Sequence, residues 1–90
     1  MTKPKRPTQH YSLVEVVWDD PTSLPDGWAE KGTVPQHVET LCLSVGFMVA
    51  RTEDYIILAQ DTDTDGEHNT RSRIPAGVVK SLKVIRKADE

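Results

Sequence analysis

The seven residues Asp61-Thr62-Asp63-Thr64-Asp65-Gly66-Glu67 are the part of this chain whose types and spacing come closest to a known chemistry. Three carboxylates at alternate positions followed by glycine match the opening of an EF-hand calcium loop, in which hard oxygen donors converge on a cation. The remainder departs from that pattern. The twelfth position of such a loop is Ser72, where a bidentate glutamate is needed, and the flanking residues read as strands rather than helices. The competing reading is a polar hairpin loop with Asp65-Gly66 at its turn. Asp61, Asp63 and Asp65 are thus a weak divalent-cation candidate, and no cofactor is expected. His10, His37 and His68 lie far apart, and none stands at metal-ligand spacing from another or from Cys42. Cys42 is flanked by Leu41 and Leu43, the setting of a small buried hydrophobe rather than of a nucleophile. No pair of groups has the spacing that acid–base or nucleophilic catalysis requires, so no enzyme is expected.

Two further constellations suit binding. Trp18, Trp28 and Tyr55 offer an aromatic surface, and Asp19, Asp20, Asp26 and Glu30 lie in or beside the segment that carries Trp28. Aromatics with nearby carboxylates can grip an extended peptide that carries a basic residue. The structural alternative puts Trp18 in the core and uses Trp28 to pin a loop lacking backbone pairing. Late in the chain, Arg71, Arg73, Lys80, Lys83, Arg86 and Lys87 form a basic group. It could meet nucleic-acid phosphates, or it could shield edge strands from aggregation. Aromatics that would stack bases are not interleaved with it.

These residues must be positioned by strands. A first strand is expected from about Tyr11 to Trp18. A second runs from Val38 to Arg51, where Leu41, Leu43, Val45, Phe47 and Val49 alternate with Cys42, Ser44, Gly46 and Ala50, the clearest period of two in the chain. Gly46 could accept a bulge, bending this long strand. Tyr55–Ala59 makes a third strand, Thr70–Ile74 a fourth and Ser81–Arg86 a fifth. A polar loop spans 61–69, and Pro75-Ala76-Gly77-Val78-Val79 supplies one tight turn before the last strand. Residues 19–37, broken by Pro21, Pro25, Gly27, Gly32 and Pro35, form a long irregular insert. A turn is expected at Leu24–Gly27 and a short helical turn over Trp28–Lys31, ended by Gly32. Residues 1–10 carry charge and two prolines with nothing to bury, which predicts a disordered tail; residues 87–90 should fray.

Ninety residues make one domain with a modest core. The net charge of −3 gives no global positive field to draw nucleic acid, and the single cysteine excludes an internal disulfide. No secretory signal is visible, and Leu41–Ala50 is too short to span a bilayer. A cytoplasmic monomer without membrane contact is the expectation.

The order strand, loop, strand, single turn, strand predicts an all-β fold over residues 11–86: a small five-stranded SH3-like barrel, with the 19–37 insert in the place of the loop that borders the binding groove. From Trp18 onward the chain also resembles a group of small bacterial and phage-borne β-domain proteins of unassigned function. The resemblance rests on Trp18-Asp19-Asp20, Cys42-Leu43-Ser44-Val45-Gly46-Phe47, Asp54-Tyr55-Ile56-Ile57-Leu58-Ala59-Gln60 and Ile74-Pro75 ahead of Val78 and Val79. It implies a compact β-domain and brings no catalytic residue. The function expected is non-enzymatic: a module that binds an unknown protein partner through the insert, Trp28, Tyr55 and the neighbouring carboxylates. Nucleic-acid association through the late basic residues is the alternative.

Overall fold

The computed structural model describes residues 5–20, 27–34 and 38–89. Five strands are present: β1 (Leu13–Asp19), β2 (Leu41–Arg51), β3 (Tyr55–Thr62), β4 (His68–Pro75) and β5 (Val79–Arg86). A single 3-10 turn, Ala76–Val78, separates β4 from β5. All neighbouring strands are antiparallel, and the sheet order is β4-β3-β2-β1-β5. The all-β reading, the five strands and the turn before the last strand agree with the sequence. Among the described residues no helix is long and apolar enough to cross a membrane.

The closed barrel is corrected. β4 and β5 are the two outer edges of one sheet and do not pair with each other. The 3-10 turn redirects the chain so that β5 crosses to β1, where Val14 faces Val84 and Val16 faces Leu82. Closure would need a further ladder, and among the described residues there is none, so the sheet stays open.

The core is small. Val14, Val16, Ile56, Leu58 and Ile74 form its buried cluster, and Trp18, Met48, Val78, Val79 and Leu82 pack against it. β1 explains the pattern: Val14, Val16 and Trp18 share the inward face, as a period of two demands. Their partners across the ladder are Gly46, Ser44 and Cys42. Small residues are what fit beside side chains that already fill the interior. The cost falls on the other face of β2, where Leu41, Leu43 and Val45 point to solvent. At Gly46 the backbones come so close that an added Cβ would lie 3.0 Å from the Ala59 carbonyl oxygen and 3.1 Å from the Leu58 Cβ. The bulge expected near Gly46 lies just beyond it, between Met48 and Ala50, where the β2–β3 register shifts.

Residues 5–10 and 87–89 lie against one another. Gln9 is buried, 6% exposed. Its side-chain Nε2–H donates to the Tyr11 carbonyl at 2.9 Å and the Arg86 carbonyl at 3.1 Å. Arg6 reaches both carboxylate oxygens of Asp89 at 3.0 Å. The contact needs no apolar anchor: a buried amide satisfies main-chain carbonyls beside both segments. Residues 1–4 and Glu90 lie outside the described residues.

Candidate functional site

The insert begins and ends on a paired neck. The Asp20 amide donates to the Thr40 carbonyl at 3.0 Å, and the Thr40 amide donates to Asp19 Oδ1 at 3.0 Å. Asp19 itself ends β1. Inside the insert the expected helical turn over Trp28–Lys31 is replaced by a tight turn closed by Thr33 N–H donating to the Glu30 carbonyl at 3.0 Å. Gly32, at the third position of that turn, has φ of 90°, which a side chain would oppose. The expected Leu24–Gly27 turn falls on residues of which only Gly27 is described, and Asp26 and His37 also lie outside the described residues.

Trp28 does not pin the insert to the sheet. Its side chain is fully exposed, at 105% of the reference value, and Glu30 near it is exposed too. Trp18 is separate: it packs against the core, and its indole Nε1–H donates to Ser44 Oγ at 2.9 Å. Tyr55 opens β3, beyond the end of β2 opposite the insert. The Arg73 guanidinium lies 4.3 Å from its ring centroid, a cation–π contact. The aromatic residues thus do not form one surface, and Tyr55 belongs with the basic residue that the sequence placed in another site.

The basic group is divided as well. Arg71 and Arg73 stand on β4, whereas Lys80, Lys83 and Arg86 stand on β5, the opposite edge of the sheet. Lys83 faces Glu15 across the β1–β5 ladder. The patch expected from sequence proximity is therefore two rows, one at each border.

The acidic loop resolves into a hairpin turn. β3 continues to Thr62 and β4 starts at His68, leaving 63–67 between them. The Gly66 amide donates to the Asp63 carbonyl at 3.2 Å, and Gly66 takes a φ of 85°. Asp63 Oδ1 accepts the amides of Asp65 and Glu67, both at 2.9 Å. Asp63 is thus committed to shaping the turn, and Asp61 to Asp65 do not converge. The described residues contain no group of three or more His, Cys, Asp or Glu side chains placed to hold a metal ion. An open hollow of about 240 Å³ beside the turn is lined by Asp61, Asp63, Glu67 and His68 among others. Cys42 is half-buried, with its Sγ 3.8 Å from the Thr40 carbonyl oxygen.

Two features were missed from the sequence. One is a clasp: His10 Nε2 bonds the Thr64 carbonyl at 2.7 Å, and the Tyr11 hydroxyl donates to the Gly66 carbonyl at 2.9 Å. Tyr11 also meets the His68 ring edge-on at 5.8 Å. Nothing in residue type foretells a contact across 55 positions. The other is the outward apolar row of β2. Leu43 is 64% exposed, with Leu41 and Val45 each more than half exposed. Its cause lies in the pairing with β1, whose Val14 and Val16 already fill the interior and leave room only for the small-residue face of β2. No family model, curated protein or solved structure matches this chain.

Proposed function

We propose that this chain is a non-enzymatic protein-interaction module, built on an opened SH3-like framework, that captures a protein partner through its insert. The observation that supports the reading is the fully exposed indole of Trp28, on a segment whose neck is hydrogen-bonded to the sheet. A large aromatic left in water is costly unless a partner covers it, and tryptophan is among the residues that dominate binding energy when buried at an interface. Val34, 82% exposed, extends the apolar contact, and Glu30 supplies negative charge beside it. An extended peptide bearing an apolar anchor and a basic residue suits this chemistry. The four-strand meander β1–β4 with β5 returning to β1 supports the SH3-like description.

The test is capture by the immobilised chain from a lysate of its source cells, with wild type and Trp28→Ala compared at equal loading. The variant should lose a specific partner while its melting temperature stays unchanged, because Trp28 contributes no packing. Equal capture by both chains would sink the proposal.

A further inference from the structure

Among the described residues, the first half of β2 has a strand partner on one side only. Its ladder with β1 runs from Asp19–Leu41 to Leu13–Phe47, whereas its ladder with β3 begins at Phe47. Before that point no ladder joins β2 to β3 among the described residues, and a cleft of about 310 Å³ there is lined by Ser44, Val45, Leu58, Ala59, Gln60, Thr70 and Ser72. The bonds at either end of the β1 ladder set the direction of the backbone groups. Met48 N–H donates to the Ser12 carbonyl, and the Thr40 carbonyl accepts from Asp20. Even-numbered residues of β2 therefore turn their polar groups toward β1. By the alternation of an antiparallel pair, Leu41, Leu43 and Val45 turn theirs outward.

We propose that a second copy of this chain docks here, adding its own β2 antiparallel to the first across a two-fold axis, with Leu43 opposite Leu43. This goes beyond partner capture by the insert and uses different residues. Three observations select the occupant. First, the other two borders of the sheet carry charge, Arg71 and Arg73 on β4 and Lys80, Lys83 and Arg86 on β5, and β4 ends at Pro75. Such residues discourage strand addition. The run Leu41–Ala50 contains no charged residue and no proline. Two copies, each of net charge −3, can therefore meet here without like charges in opposition. Second, antiparallel pairing of identical strands is self-complementary, as a two-fold interface demands. Centring on Leu43 sets each Leu41 against the other copy's Val45, so all three apolar side chains find apolar partners; a shift of the axis to residue 42 would put Val45 against Glu39. Third, the area is commensurate. Val38, Leu41, Leu43 and Val45 are each more than half exposed. With the strand edge they offer several hundred Å² per copy, at or below the roughly 800 Å² per partner of a standard interface. The dimer is accordingly dependent on concentration.

Sedimentation velocity on the full chain, taken from low micromolar to about 1 mM, should show the mass rising toward twice 10.1 kDa. Leu43→Lys should hold the mass at the monomer value throughout while leaving circular dichroism and melting unchanged, since the side chain faces water in the monomer. Register is read by cross-linking in a Cys42→Ser background with oxidised glutathione. Leu43→Cys should link to itself, and Leu41→Cys should link to Val45→Cys more readily than to itself. A monomer at the highest concentration, a dimer indifferent to Leu43→Lys, or preferential self-linking of Leu41→Cys would each overturn the proposal. Trp28→Ala reports on the insert alone, so failure of either reading is seen separately.

Discussion

Gln9 and Asp89, eighty positions apart, are joined by a reciprocal pair of hydrogen bonds: the Asp89 amide donates to the Gln9 carbonyl at 2.8 Å, and the Gln9 amide donates to Asp89 Oδ2 at 2.8 Å. Arg6 closes the arrangement from outside through its ion pair with the same carboxylate at 3.0 Å. The two ends of the described chain are thereby tied beside the β1–β5 ladder.

That relationship makes the junction sensitive to acid. The Gln9 amide holds the Asp89 carboxyl below the ordinary carboxylate range; desolvation opposes this, and the nearby charges of Arg6 and Arg86 reinforce it. A depressed carboxylate lends stability that is fully present above its unfolded value, about 3.9, and is lost as pH falls through its lower folded value. The Gln9 and Asp89 amide resonances should therefore stay constant from neutral pH down to about pH 4 and move only below it. Asp89→Asn should abolish this acid transition. A transition of the same amides near neutral pH would contradict the assignment.

Gln9→Ala removes the buried amide that satisfies the Tyr11 and Arg86 carbonyls. Losing these part-buried hydrogen bonds costs about 1 kcal/mol, which for a domain of this size lowers the melting temperature by roughly 4–8 °C. Thermal unfolding by circular dichroism measures it. A loss no greater than that of Lys5→Ala would show the contact to be ornamental.

Gly46→Ala tests the close approach of β2 to β3. The added Cβ would meet a main-chain carbonyl oxygen at 3.0 Å, and main chain inside a sheet yields little. Overpacking of this kind costs about 1–3 kcal/mol. Urea denaturation should show the midpoint falling with the slope preserved. Gly77→Ala, where the added Cβ meets nothing within 4 Å, serves as the control.

The strands and the turn before β5 were legible because they rest on local signals: alternation in β1 and β2, apolar density in β3, and Pro75 with Gly77 between two extended runs. Which face of β2 turns inward was not legible from β2 alone. It follows from its register with β1, where Val14 and Val16 take the interior and leave room only for Gly46 and Ser44. The open sheet and the clasp of Tyr11 on Gly66 were hidden for a related reason: both depend on pairings between distant residues that no window of sequence contains. Trp28 was legible as a residue of interest, but its exposure was not, since a pinned and a free indole look the same in one dimension.

The position of β1 between β2 and β5 has a temporal consequence. Residues 13–19 are made some sixty residues before 79–86, which supply one of their two ladders, and before Asp89, which supplies the adjoining Gln9 contact. During synthesis the early strand must wait, half-covered, until almost the whole chain described here has emerged. The β1–β5 ladder therefore rests on closing a long loop, the kind of non-local pairing that slows folding.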